Sequence, residues 1–189
     1  SFYGSEVGSF TGGGTPGGGD TEPTNPNLVF QVNSTSMNTA DNTLTDNIAG
    51  ISATLVGNPT VSGNQIAFTA NDKFSFDISS LNLTNSNRTI RIKFTPTALD
   101  TNLRNVIGFG KTNWNDMTTS YINSTKLILQ HSTAGFTNNT VGNTGGTNGN
   151  NRLSTAPITG REYELVISEN IDKNVRYFID GTLVQDGIV

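Results

Sequence analysis

From Leu28 onward, short runs of alternating apolar and polar residues dominate this chain. In RTIRIKFTP, the apolar residues Ile90, Ile92 and Phe94 alternate with polar ones, the two-residue period of a strand with one buried face. Similar runs predict further strands: LVFQV from Leu28, QIAFT from Gln65, FSFDI from Phe74, NVIGFG from Asn105, KLILQ from Lys126, EYELVIS from Glu162 and VRYFI from Val175. No segment carries a sustained apolar stripe at helical spacing, so we predict an all-β domain.

The turns between these runs indicate how the strands are arranged. Many short strands with polar turns favour two packed antiparallel sheets that share a core, and a single closed barrel is the alternative. Asp180 and Gly181 predict a hairpin near the end of the chain, because both residues tolerate positive φ. The stretch from His131 to Pro157 has little periodicity and many turn-forming residues, which predicts an exposed excursion.

Residues 1–27 have a different composition. The stretch FTGGGTPGGGDTEPTNPN is rich in Gly and Pro and has almost no aliphatic residues, so we predict an extended anchor and linker ahead of a β-domain at 28–189. The bulky residues of this segment precede the glycines, which suits a peptide that docks onto another protein; they are Phe2, Tyr3, Val7 and Phe10. The alternative is a disordered terminus whose aromatic residues occur by chance.

Composition excludes several classes of protein. Charged residues make up 14% of the 189 residues, and the net charge of -4 gives no basic footprint for nucleic acid. Cysteine is absent and His131 is the single histidine, which excludes disulfides, thiolate metal sites and an imidazole cluster. No apolar run approaches the roughly 20 residues that span a bilayer, so we predict no membrane insertion.

The order of these features resembles the concanavalin A-like jelly-roll superfamily, in particular its laminin G-like and pentraxin-like branch. LVFQV resembles the family's first strand, and LTDNIAGISATLVG from Leu44 resembles its segment with Asp, small residues and then Ala-Thr-Leu. NQIAFTANDKFSFDISSLNL, RTIRIKFTP, NVIGFGK and KLILQ resemble the strands that follow, and GREYELVIS with NVRYFIDGTLV resembles the closing pair. The resemblance implies a two-sheet antiparallel jelly-roll sandwich.

Two features depart from that family. Tyr163 stands where the family usually has Trp, and the family normally supplies a further strand after the hairpin at Asp180. The resemblance therefore implies a domain at 28–189 that lacks a strand at its C-terminus. Residues beyond Val189, a neighbouring subunit and the N-terminal segment are the three sources that we consider for this strand.

The acidic residues are the candidates for catalysis and for metal binding. Glucan hydrolases of this superfamily need two carboxylates on one strand, and Glu162 and Glu164 are the best pair, but the denser acidic motif of those enzymes is absent. We predict a solvated surface pair and no enzymatic activity.

The resemblance to the laminin G-like and pentraxin-like branch also implies Ca²⁺ held by loop oxygens, with Asp41, Asp46, Asp72 and Asp116 as candidate ligands. None of them forms a recognised coordination loop. We therefore predict that the protein requires no cofactor, and bound Ca²⁺ is the alternative.

A polar loop with an aromatic residue is the best candidate for ligand binding. Trp114, the only tryptophan, could stack on a sugar ring while neighbouring amides and a carboxylate bind hydroxyl groups. These neighbours are Asn113, Asn115 and Asp116, with Tyr121 nearby. The alternative is that Trp114 folds back to cap the core.

Together these features predict a non-enzymatic adhesion or carbohydrate-binding protein displayed on a surface. Low charge and abundant Asn, Thr and Gly resemble fibre and decoration proteins of tailed bacteriophages, on which laminin G-like domains occur. This analogy implies a virion-surface head fibre, decoration or tail fibre that binds a capsid or tail protein through residues 1–27, recognises a cell-surface glycan and forms a homo-oligomer. The alternatives are a purely structural decoration or assembly protein without a glycan ligand, and a secreted bacterial lectin-like module or glucan hydrolase.

Overall fold

The computed structural model describes residues 2–5, 9–11, 28–69, 72–83, 87–102, 104–110, 117–132, 153, 155–170 and 174–188. Within these ranges the chain is almost entirely antiparallel β-structure, with two short 3-10 turns at Ser34–Ser36 and Ser79–Leu81. This confirms the all-β prediction. In the same ranges, no helix has the length and apolar character needed to cross a membrane.

The strands are numbered in chain order. They are β1 (Phe2–Ser5), β2 (Ser9–Thr11), β3 (Met37–Asn38), β4 (Thr43–Leu44), β5 (Thr54–Val56), β6 (Thr60–Ser62), β7 (Gln65–Ala67), β8 (Lys73–Phe76), β9 (Arg88–Thr95), β10 (Arg104–Gly110), β11 (Met117–Ile122), β12 (Leu127–Ser132), β13 (Tyr163–Glu169), β14 (Asn174–Ile179) and β15 (Thr182–Ile188). A six-stranded sheet has the order β12, β11, β10, β1, β8, β5, and a seven-stranded sheet has the order β15, β14, β13, β9, β2, β7, β6. Strands β3 and β4 form a small separate pair.

Side chains from the two larger sheets share one apolar interior. One buried cluster joins β10, β11 and β12 to β9, β13 and β14; its members are Ile92, Phe94, Val106, Ile107, Ile122, Leu127, Leu129, Tyr163, Leu165, Ile167, Val175, Tyr177 and Ile179. A second cluster contains Met37, Leu44, Ile66, Phe68, Phe74, Phe76, Ile78 and Phe109. Ile90 packs against both clusters, so the interior is continuous from one to the other.

The two sheets end at the same two rims. At one end the guanidinium of Arg88, the first residue of β9, lies 4.7 Å from the ring centre of Phe109 near the end of β10. We call this end the Gly110 rim. At the other end Asp100, in the connection from β9 to β10, accepts a hydrogen bond from the Ser124 N–H at 2.7 Å. We call this end the Asp180 rim, because the β14–β15 hairpin turns there.

That hairpin has the geometry that its sequence predicts. Asp180 and Gly181 have φ values of 49° and 75°, and Ile179 pairs with Thr182 across the two-residue turn. Positive φ at both central positions is the type I′ pattern that Asp-Gly favours. The predicted strands in RTIRIKFTP and EYELVIS are also present as β9 and β13, and they are neighbours in register from Arg88 opposite Glu169 to Phe94 opposite Tyr163.

The N-terminal segment differs from the predicted anchor peptide. β1 pairs with β8 on one side and β10 on the other, and β2 pairs with β7 and β9. The prediction of a free extended tail is therefore wrong for Phe2–Ser5 and Ser9–Thr11, whose backbone groups are used in the two sheets. Residues 12–27, predicted as linker, lie outside the described residues.

LVFQV at Leu28 does not form the predicted strand. The Gln31 N–H donates to Oδ1 of Asp46 at 3.3 Å, and the Gln31 carbonyl accepts from the Asn47 N–H at 2.8 Å, so this backbone bonds to a loop. The alternation of apolar residues still indicates which side chains pack inward. The centre of the Phe30 ring lies 4.9 Å from that of Phe76 in an edge-on contact. The sheet position beside β8 is taken by β1.

Candidate binding site

The Gly110 rim brings two long connections to one place. Gly110 pairs with Met117 across the β10–β11 hairpin, and Met117 pairs with Ser132 at the end of β12. Neighbouring strands lie about 4.8 Å apart, so the loop 111–116 starts and ends beside the point where the chain leaves β12. This loop contains Trp114. The long stretch after Ser132 begins at the same rim.

The end of β8 extends this rim across the six-stranded sheet. Phe2 of β1 pairs with Phe109 on one side and with Phe76 on the other, so the last residue of β8 lies level with the end of β10. The next residue, Asp77, accepts a hydrogen bond from the Ser79 N–H at 3.0 Å, just before the 3-10 turn at Ser79–Leu81. Backbone and side-chain hydrogen bonds from Ser79 lower the pKa of Asp77 below 3.8. Its carboxylate is therefore ionised at neutral pH.

A buried ion pair within the seven-stranded sheet forms the base of the rim, and the contact of Arg88 with Phe109 links it to the six-stranded sheet. The side chain of Glu169 is only 5% exposed, and its Oε2 accepts from Arg88 Nε at 2.8 Å and from a second guanidinium nitrogen of Arg88. Arg88 also donates to the Leu83 carbonyl at 3.3 Å and stacks on Phe109. A charged side chain with this many partners is held in one position, which makes the base of the rim rigid.

Sequence reasoning did not identify Arg88, Glu169 and Phe109 as a group. Arg88 and Glu169 are 81 positions apart, and only the pairing of β9 with β13 makes them neighbours. A signal exists in the sequence, because each of these charged residues stands at the end of an alternating apolar run.

Of the five residues predicted for the ligand site, the structure describes Tyr121 alone. Asn113, Trp114, Asn115 and Asp116 lie outside the described residues, in the loop between Gly110 and Met117. Tyr121 is four positions along β11 from Met117, and its backbone pairs with Asn105 and Ile128. At about 3.4 Å per residue the Tyr121 backbone is therefore roughly 14 Å from the rim.

The predicted anchor residues are distributed differently. The backbones of Phe2 and Tyr3 lie in the six-stranded sheet and that of Phe10 lies in the seven-stranded sheet. Val7 lies outside the described residues. The structure therefore does not assemble these residues into one docking peptide.

Asp46, a predicted calcium ligand, is buried and organises its own loop. Its Oδ1 accepts from the N–H groups of Gln31, Ile48 and Ala49 at 3.3, 2.9 and 3.0 Å, and its Oδ2 accepts from the Ile51 N–H at 2.8 Å. Burial raises the pKa of Asp46, but these four backbone hydrogen bonds outweigh it and bring the pKa below 3.8. The carboxylate stabilises the turn as an anion.

Asp72 and Asp41 also bond to neighbouring N–H groups. Oδ1 of Asp72 accepts from the Asn58 N–H at 2.9 Å, and Oδ2 accepts from the N–H and hydroxyl of Thr69 at 2.7 and 2.8 Å. Burial raises the pKa of Asp72, and the bonds from Thr69 and Asn58 bring it below 3.8. Asp41 accepts from the Asn38 side-chain amide at 2.8 Å. Among the described residues, no three His, Cys, Asp or Glu side chains are grouped to hold a metal.

The carboxylate pair considered for catalysis sits at the opposite rim. Glu164 is 23% exposed at its side chain, and its Oε1 accepts from Arg91 Nε at 2.6 Å. Glu162 is exposed at the start of the same segment. The ion pair with Arg91 gives Glu164 a structural partner on the outer face of the sheet.

A comparison with protein families, curated proteins and solved structures finds no match for this chain.

Proposed function

We propose that this chain is a non-enzymatic binding domain whose ligand, a carbohydrate, is held at the Gly110 rim. The pairing of Gly110 with Met117 and of Met117 with Ser132 carries this proposal, because it supports one loop and one long connection side by side. The loop sequence KTNWND combines an aromatic ring with amides and a carboxylate, the groups that stack on a sugar face and bind its hydroxyls.

The base of the rim supports the same proposal. Shallow binding sites for small ligands are largely preformed. The bonds from Arg88 to Glu169 and Leu83, with its contact on Phe109, hold the end of the seven-stranded sheet against β10 at this rim. In this account Arg88 and Glu169 position the rim and do not touch the sugar. A jelly-roll sandwich of the concanavalin A-like type is the fold that we propose for the domain.

Display on a virion surface is part of this proposal, and it rests on the composition and on the family resemblance. Attachment through a free N-terminal peptide is not part of it, since β1 and β2 are central strands of the two sheets. A carbohydrate-binding domain in this position would serve adhesion to a cell surface. The absence of a glycan ligand would leave a structural decoration protein as the function.

The test replaces the Trp114 ring and compares two variants of the full chain. Trp114→Ala is expected to weaken carbohydrate binding by at least about twofold, because a stacked ring contributes about 0.5–1.5 kcal/mol in addition to the effect of its buried area. Ile158→Ala is the matched control, since Ile158 is 52% exposed at the Asp180 rim and its N–H donates to the Tyr163 hydroxyl. Equal affinities of the two variants for the carbohydrate, with both folded, would refute the rim as the site.

A further inference from the structure

The segment Phe2–Thr11 holds both sheets together. Without β1, the strands β12, β11 and β10 would separate from β8 and β5. Without β2, the strands β15, β14, β13 and β9 would separate from β7 and β6. Loss of the segment would therefore expose four strand edges with unpaired backbone groups, and such edges bind an added strand readily.

The covalent connection between this segment and the rest of the domain is long and rich in glycine. Residues 12–27 separate Thr11 from Leu28, and this stretch, GGGTPGGGDTEPTNPN, contains six Gly and three Pro. A chain of this length spans about 50 Å when fully extended. For a glycine-rich linker, the entropic free energy also changes little when the distance between its two ends changes. The sequence of the connection thus places few limits on which domain receives the segment.

Phe2–Thr11 fills a gap in each sheet, between β10 and β8 and between β9 and β7, and we call these two gaps the slot. The slot is specific for this segment. It has to match two sheets at once, with Phe2 opposite Phe76 and Phe109 in one sheet and Ser9 opposite Ala67 and Thr95 in the other. Only three residues, Glu6 to Gly8, connect the two strands. A second copy of this chain carries the same two strands at the same spacing and pairs in the same register.

We propose that Phe2–Thr11 is a donor segment that two copies of this chain exchange, each completing both sheets of the other. Exchange of an identical element costs little, because every contact of the closed monomer is reproduced in the dimer. A glycine-rich linker typically gives an effective concentration on the order of millimolar, so the closed monomer predominates in dilute solution and exchange grows with local chain concentration. Display of many copies on one particle, as in the proposed function, would provide that condition. The exchange is independent of any carbohydrate ligand.

The test uses engineered cysteines, because the natural chain contains none. Ser9→Cys and Thr95→Cys are placed in separate full-length chains, since these residues are directly opposite in the pair of β2 with β9. The two chains are unfolded, mixed and refolded together at high concentration, then oxidised and analysed by non-reducing mass spectrometry. Exchange predicts a disulfide-linked heterodimer.

The matched control uses Thr89→Cys and Ser168→Cys in separate chains. These residues are also directly opposite, but both belong to the body of the domain in β9 and β13. We expect at least tenfold more linked heterodimer from the Ser9 and Thr95 mixture than from this control. Ser5→Cys with Lys73→Cys, opposite each other in β1 and β8, provides a second donor pair in the other sheet.

A third preparation carries both Ser9→Cys and Thr95→Cys in one chain and is oxidised in dilute solution. Formation of its internal disulfide shows that β2 occupies the slot, and the mixtures then report exchange. Linkage in both donor mixtures no greater than in the control, with the internal disulfide formed, would overturn the proposal. Failure of the internal disulfide in this variant and in the Ser5 and Lys73 double variant would also overturn it. Light scattering of the unmodified chain refolded at high and low concentration checks the result without substitutions, and a dimer only at high concentration is expected.

Discussion

The carboxylate of Asp72 lies directly against the backbone of Gly57. A Cβ at residue 57 would stand 1.9 Å from Oδ1 of Asp72, and Gly57 has φ of +85°. The Asn58 N–H donates to that same oxygen at 2.9 Å. The turn after β5 is therefore built around an acidic side chain that only glycine admits at this distance.

Gly57→Ala is expected to destabilise the domain strongly. The positive φ costs about 1–3 kcal/mol, and displacement of Asp72 breaks its charge-assisted hydrogen bonds from the Asn58 and Thr69 N–H groups, at about 1.5–3 kcal/mol more. Gly181→Ala is the control, because Gly181 has φ of +75° and open space at the Cβ position, so only the backbone cost remains. Denaturant unfolding measures both. Equal losses in the two variants would show that Asp72 does not constrain residue 57.

Asp46→Asn is expected to change how stability depends on pH. The pKa of Asp46 in the folded protein lies below 3.8, so its carboxylate stabilises the fold above the unfolded pKa, and this stabilisation is lost as the pH falls through the folded value. The variant replaces one acceptor by an amide that faces the Ile51 N–H. At neutral pH we expect a loss of about 1–3 kcal/mol in the free energy of unfolding.

The difference between the natural chain and Asp46→Asn should shrink as the pH is lowered below 3.8, because the natural carboxyl becomes protonated there. Urea unfolding at a series of pH values measures this. Asp72→Asn is a second variant in which the same pattern is expected, since the pKa of Asp72 is lowered by the same kind of bonds. A difference that is constant across the whole range would contradict the assignment of Asp46 as a stabilising anion.

Arg88→Ala should cost much more stability than Arg91→Ala. Arg88 pairs with a Glu169 side chain that is only 5% exposed, so its removal breaks a buried ion pair at a cost of about 3–5 kcal/mol. Arg91 is 62% exposed at its side chain, and exposed ion pairs contribute about 0–1 kcal/mol. Thermal or urea unfolding distinguishes the two variants. Similar losses would contradict a larger contribution from the buried pair than from the exposed one.

Sequence alone predicts the strands whose residues alternate visibly, such as β7 and β9, and misses strands without that pattern, such as β2 and β11. Alternation identifies β9 and β13 because each strand is long enough to show several periods with one buried face. The three residues of β2 contain a single large apolar side chain, so no period is visible. Leu28 and its neighbours alternate in the same way as a strand, yet the loop at Asp46 supplies the hydrogen-bond partners of Gln31.

The sequence likewise predicts one part of the candidate site and misses another. The loop with Trp114 follows from its position between two strand-like runs, and the structure places the ends of that loop together at Gly110 and Met117. The pair of Arg88 and Glu169 depends on which strands are neighbours, which local pattern does not contain. Tyr163 shows the same limit, since its hydroxyl accepts from the Ile158 N–H at 2.8 Å, a contact that only the fold defines.

Deletion of residues 1–27 is a poor test of function, because it removes two central strands. A glycan-array screen of the intact purified chain, run with calcium and with a chelator, is the most direct test of carbohydrate binding at the Gly110 rim. We expect binding to at least one class of glycan and weaker binding in Trp114→Ala, with unchanged thermal unfolding. No glycan binding in either condition, or binding that Trp114→Ala leaves intact, would contradict a carbohydrate site at the Gly110 rim.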